Sequence, residues 1–248
     1  MSYPSTDVTH PVFSKVEFEL CPVNLGIVFK KVNGQGGPSI KQDSQKGFYA
    51  WKDVSRMLRQ LGLLEKNLEK GLKGAWPHKT DEAHKVILIL KNKDLLAKGV
   101  KDIPDSEAAS RVLASCDPDW RNRVLQTGYT LGDTVVAEFA YNVVYEYFIN
   151  NKKLDNHQAL SEILNPIISR YGISASTEYG SAIVKTAMMS KAVKDEMIRV
   201  TNEAASKKMF GAPLFESGDG VPYWGNDRML DAAVEVYNPT LGTVNSKL

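Results

Sequence analysis

The chain has 248 residues, of which 43% are hydrophobic and 24% charged, and its 31 Lys+Arg against 29 Asp+Glu leave a net charge of only +2. This composition excludes bulk disorder, a collagen repeat and a coiled-coil rod, fits one large domain or two small ones, and lacks the basic footprint of a nucleic-acid binder. Two cysteines, Cys21 and Cys116, and four scattered histidines make no disulfide framework and no zinc-site spacing, so no metal is expected.

The first ten residues, MSYPSTDVTH, are polar and carry no apolar core of a secretory signal, which places the expected compartment on the reducing side of the cell. Residues 1–14 read as an irregular arm. Residues 15–20 alternate charged and apolar, the pattern of a half-buried strand that Cys21-Pro22 ends. Residues 31–47 hold four glycines, a proline and no apolar period, and read as a long loop.

Helical spacing begins at Phe48 and runs to Leu64, with Trp51, Val54, Met57, Leu58 and Leu61 recurring at three and four. Further helices are predicted over 81–98, 105–114, 131–150, 156–171 with Gly172 beyond its end, 176–187 and 191–208. The run Val86–Leu90 falls inside the 81–98 helix and is far shorter than the about 20 residues of a membrane span, so none is expected. The period then changes: a short strand over 212–216, a turn at 217–220, a returning strand over 221–224, and a helix over 229–236 capped by Asn226 or Asp227. A strand and loop, a long helical stretch, then strand–turn–strand–helix predict an α/β fold whose sheet is interrupted by a large all-helical insertion.

The last three residues, Ser246-Lys247-Leu248, spell a receptor-read peroxisomal address. The polar, turn-rich NPTLGTVN before them suits an accessible tail, and the expectation is peroxisomal localisation through the import receptor.

Three blocks in order carry a family resemblance: Gly26-Ile27, Asn33, Lys46-Gly47-Phe48-Tyr49 and Asp53; Asn202-Glu203-Ala204 through Phe210-Gly211-Ala212-Pro213; and Gly225-Asn226-Asp227-Arg228. With them the chain resembles the kappa-class glutathione transferases and the related 2-hydroxychromene-2-carboxylate isomerases, thioredoxin-like folds with an inserted helical domain. The resemblance implies a discontinuous thioredoxin-like part at 15–47 and 209–240, a helical domain at 48–208, and tails at 1–14 and 241–248. It implies glutathione as co-substrate, a small electrophilic or apolar metabolite as substrate, and a homodimer. Some members of the family also end in a peroxisomal signal.

The resemblance also assigns roles. Ala212, before a cis Pro213, would offer its backbone to the cysteinyl unit of glutathione; the helix start at Asn226 and Asp227 would take the γ-glutamyl carboxylate and ammonium; Lys46 would meet the glycyl carboxylate and Asn33 a backbone group. The family's catalytic serine turn has no counterpart. Cys21-Pro22 follows a predicted strand, but Gly26-Ile27 comes too soon after it for a helix and a strand to intervene. Residues 16–20 therefore match the family's second strand, and its first strand and helix are missing. Cys21 reads as a buried small hydrophobe, with a reactive thiol as the weaker alternative. A repurposed glutathione-independent isomerase or cyclase, or a non-catalytic binding protein, stands beside the transferase reading.

Overall fold

The computed structural model describes residues 10–34, 45–60, 79–114, 119, 124, 134–174, 176–217, 220 and 222–237. Within them the chain is mostly helical, with one two-stranded antiparallel sheet. Helices α1 (Leu25–Asn33), α2 (Gln45–Gln60), α3 (Asp81–Lys91), α4 (Lys93–Lys101), α5 (Ser106–Ala114), α6 (Val135–Phe148), α7 (His157–Arg170), α8 (Tyr179–Met189) and α9 (Lys191–Ser206) come first. Strands β1 (Leu214–Glu216) and β2 (Pro222–Trp224) and helix α10 (Met229–Tyr237) follow.

The main core belongs to the helices. The run Val86–Leu90 of α3 is buried throughout, because α3 is packed on α4, α6, α8 and α9 and so has no solvent side at that turn. The single predicted helix over 81–98 is two helices, α3 and α4. Asn92 breaks it: its side chain accepts from the Leu95 N–H at 2.9 Å and starts α4, while its own N–H closes α3 on Ile89. Thr134, Asn156 and Ser190 start α6, α7 and α9 in the same way. Asp102 reinforces the last, accepting from the Ser190 hydroxyl at 3.0 Å and the Ala192 N–H at 2.8 Å. Those bonds hold its carboxyl below its ordinary pKa. Gly172 takes a positive φ of 62° just past α7.

Several expectations are corrected at the N-terminal end. The predicted loop over 31–47 is entered by α1 and left by α2, which already begins at Gln45. Helix α1 carries its own signals: Asn24 accepts from the Ile27 N–H at 3.0 Å, Lys30 and Lys31 fill the last turn, and Gly34 caps the end with φ 68°. The predicted arm is not irregular at its end, since Pro11–Ser14 form a 3-10 turn that buries Val12 and Phe13.

The strand predicted over 15–20 does not form in the described sheet: Lys15 is a bend, and residues 16–20 lie in no helix or strand. The predicted alternation is present, with Val16, Phe18 and Leu20 half-buried and Glu17 and Glu19 exposed. Alternation reports which side chains face inward, and the pairing it usually accompanies is absent here. Val16 and Phe18 join a second, small core with Val12, Phe13, Met229, Leu230, Ala233 and Val234, while Leu20 packs on the helical core. The Leu20 carbonyl accepts from the Lys91 ammonium, so a side chain serves it where a neighbouring strand would.

Candidate functional site

The hairpin register pairs Leu214 with Trp224, Phe215 with Tyr223 and Glu216 with Pro222, which brings the segment entering β1 beside the segment leaving β2. The Ala212–Pro213 bond is cis, as the resemblance implies. The Gly225 N–H donates to the Pro213 carbonyl at 3.1 Å and ties the two segments together. Gly225 has φ 114°, a conformation open to glycine, and the Asp227 carboxylate occupies the place where a Cβ would stand.

Four of the six binding residues predicted from sequence meet at this corner: Ala212, Pro213, Asn226 and Asp227. Ala212 is exposed, and its N–H and C=O bond to no described residue. The 3-10 turn Asn226–Arg228 runs directly into α10, and the N–H groups of Asn226 and Asp227 likewise have no partner among the described residues. Arg228 bonds Asp231 at 3.0 Å and approaches Asp227 at 3.7 Å; the two carboxylates raise its pKa above the ordinary guanidinium value.

Three further side chains shape the rim. Trp224, 57% exposed, lies across Gly211 with its ring atoms 2.9 and 3.1 Å from where a Cβ would be, and Phe210 meets it edge-on at 5.3 Å between centroids. Met57 of α2 receives the Asn226 amide at 3.9 Å through its sulfur, a weak acceptor that a carboxylate would outcompete. The pairing of Phe210-Gly211 with Trp224-Gly225 across a hairpin was visible in the sequence as small–aromatic neighbours, though not as a stacked unit.

The remaining predicted residues lie elsewhere. Lys46 is exposed in the first turn of α2, eleven residues before Met57, and so about 16 Å along the helix from it. Asn33 ends α1, which packs on α9. Cys21 is exposed, which corrects the buried reading. Its thiol is nonetheless pushed above the ordinary value, first by desolvation, with Glu19, Glu203 and Glu216 adding to the effect and Lys91 opposing it. A thiol so placed is protonated at neutral pH, the opposite of an activated nucleophile. Cys116 and the Ser246–Leu248 tail lie outside the described residues.

A second polar junction escaped the sequence reading. The Asn24 N–H donates to the buried Thr201 hydroxyl at 3.1 Å, and its amide donates to Asp81 at 2.6 Å, fastening the start of α1 to α3 and α9. Among the described residues no group of His, Cys, Asp and Glu is arranged to hold a metal ion, and no helix is long and apolar enough to cross a membrane. Compared with protein-family profiles, curated proteins and solved structures, the chain gives no match to any.

Proposed function

We propose that the corner formed by Ala212, Pro213, Asn226 and Asp227 binds a small extended peptide thiol of the glutathione type, and that the chain is a kappa-like glutathione transferase. The observation that supports this reading is the backbone of Ala212, unbonded among the described residues, beside the N–H groups of Asn226 and Asp227, likewise unbonded among them, with the two segments tied by the Gly225–Pro213 hydrogen bond. An extended peptide adds to such an edge through its own N–H and C=O groups. A carboxylate suits the start of a helix, where N–H groups point outward and the dipole end is positive. Asp227, half-buried, is the group for the ligand's ammonium.

The wider reading goes with it: a thioredoxin-like part from 15–47 and 209–240 that lacks the family's first strand, a helical domain over 48–208, a homodimer, and peroxisomal import through Ser246–Leu248. Lys46 and Asn33 are secondary in this reading, since their places on α2 and α1 set them apart from the corner. A transferase must also hold the ligand sulfur as thiolate, and Cys21, with its raised pKa, does not supply that charge stabilisation.

A second reading, a glutathione-independent isomerase, cyclase or binding protein for a flat apolar metabolite, is favoured by the exposed rings of Phe210 and Trp224 beside Met57. Calorimetric titration with reduced glutathione separates the two. Saturable binding at millimolar ligand or below, weakened about tenfold by Asp227→Ala, is the expected result, equivalent to about 1.4 kcal/mol. No heat from the parent protein at about 10 mM glutathione removes the transferase reading and leaves the second.

A further inference from the structure

Helix α2 has two sides of opposite character. Gly47, Trp51 and Ser55, at four-residue intervals, are buried, and Trp51 meets Phe148 of α6 at 6.3 Å between ring centroids. The other side carries Phe48, Tyr49, Lys52, Arg56 and Arg59, which at 3.6 residues per turn fall within about 100° of the helix circumference. The Phe48 and Tyr49 rings are 48% and 59% exposed and meet edge-on at 5.6 Å. The Lys52 ammonium lies over the Phe48 ring, 4.4 Å from its centroid, and Arg56 reaches Asp53 in an exposed pair at 3.3 Å. Over its length α2 holds Lys46, Lys52, Arg56 and Arg59 against Asp53 alone, a surplus of three positive charges. The whole chain has a surplus of +2, so everything outside α2 is slightly acidic, and the positive charge is concentrated on this helix.

We propose that this side of α2 lies on an anionic lipid membrane as a peripheral contact. Such a surface has two layers, charged headgroups and the acyl boundary beneath them, and the side chains match both. Lys52, Arg56 and Arg59 meet the headgroups, while the Phe48 and Tyr49 rings enter the boundary, where aromatic rings are favoured. The row from Phe48 to Arg59 runs about 16 Å along the outside of the helix, a convex face that suits an extended flat surface bearing charge throughout. An acidic peptide would pair the cations but leave the two rings in water. Each cation brought to an anionic leaflet strengthens attachment about fivefold, so the three on this row give about a 100-fold preference for anionic over neutral lipid. The slightly acidic remainder of the chain is repelled by the same leaflet, which orients the molecule with α2 toward it.

Co-sedimentation of the full chain with vesicles of phosphatidylcholine, alone or with about 30% phosphatidylserine, tests this. The expected result is about 100-fold tighter attachment to the anionic vesicles at about 50 mM salt, with most of that preference gone by about 0.5 M. Lys52→Gln, Arg56→Gln and Arg59→Gln together should bring the preference down to about fivefold or less, while Lys194→Gln, an exposed change on α9, should alter it by less than about twofold. Phe48→Ser with Tyr49→Ser should weaken attachment to the anionic vesicles about tenfold, a loss that a purely ionic contact does not show. Circular dichroism establishes that each variant is folded, and the salt titration of the parent chain requires no variant. A parent chain that attaches to both kinds of vesicle equally at low salt overturns the proposal. Undiminished attachment of the Phe48/Tyr49 variant overturns it as well and assigns the cations to a soluble acidic partner.

Discussion

Gly225→Ala is the change that most directly tests how the corner is built. At φ 114° an alanine is held in a region that L residues avoid, at a cost of about 1–3 kcal/mol. Its Cβ would also meet the Asp227 carboxylate, so either Asp227 swings away or the backbone shifts. A shift breaks the 3.1 Å bond from Gly225 to Pro213, worth about 1 kcal/mol more. The sum, about 2–4 kcal/mol, lowers the melting temperature by about 4–16 °C for a chain of this size. Gly220→Ala is the matched control, because Gly220 also has a positive φ, 80°, but no atom within 4 Å of its Cβ position. That substitution carries backbone strain alone, about 1 kcal/mol and about 3 °C. The gain from stiffening the unfolded chain is common to both and cancels. Thermal unfolding followed by circular dichroism gives the comparison. If Gly225→Ala melts within about 1 °C of Gly220→Ala, the account of the Gly225–Pro213–Asp227 corner is wrong.

Gly180→Ala should destabilise by about 2–4 kcal/mol, because its Cβ would sit 3.1 Å from the Asn165 backbone nitrogen and displace the Asn165 amide that accepts from the Ser181 N–H at 3.0 Å. Urea unfolding should show part of that loss recovered in an Asn165→Ala background, and strict additivity would refute the clasp. His84 carries a pH dependence: its Nδ1 is buried without a hydrogen-bond partner, and desolvation, partly offset by Asp81, lowers its pKa below 6.5. The unfolded chain therefore takes up the proton first, so stability is full above about pH 6.5, falls as pH drops below it, and levels off beneath the folded value. Urea midpoints from pH 8 to 5 should show that decline, and His84→Gln should flatten it; an unchanged slope in the variant assigns the effect to other groups.

How much was legible in the sequence depended on range. The helical stretch from α2 to α9 announced itself through apolar spacing, because that signal lies within one or two turns of what it controls, but the Asn92 cap that divides α3 from α4 went unread inside one continuous period. Helix α1 had the same signals, Asn24 and Gly34, but they sat next to a glycine-rich stretch whose lack of period absorbed them. The segment 15–20 shows the limit from the other side. Its alternation correctly marked Val16, Phe18 and Leu20 as inward, while the choice between a strand neighbour and the Lys91 ammonium as partner for its backbone rests on a residue some 70 positions away. The burial of Cys21 was misjudged for the same reason, since what surrounds its sulfur comes from α3, α9 and β1. At the corner, motif spacing singled out Ala212, Pro213, Asn226 and Asp227. Met57 and the seating of Trp224 on Gly211 depend on contacts that no local pattern encodes.

The two cores divide the molecule's rigidity unequally, and the corner stands on the weaker one. A hairpin of two three-residue strands is not stable by itself and takes its order from what it packs on. Here that support is α10 and the Pro11–Ser14 turn, whose small core is joined to the helical body by the strap over 15–24. Two of the side-chain pairs that reach across are exposed: Lys207 to Glu216 at 2.9 Å, and Asn226 to Met57 at 3.9 Å. Exposed ion pairs contribute about 0–1 kcal/mol each, and an amide on a thioether contributes less than an ordinary hydrogen bond. Local opening of the hairpin and α10 therefore takes less free energy than unfolding of the helical core, and the corner's geometry is set mainly by the Gly225–Pro213 bond and by Trp224 seated on Gly211. A ligand that bridges Ala212 and the Asn226–Asp227 turn would add its contacts across the Gly225–Pro213 bond, and would stabilise the hairpin and α10 against local opening.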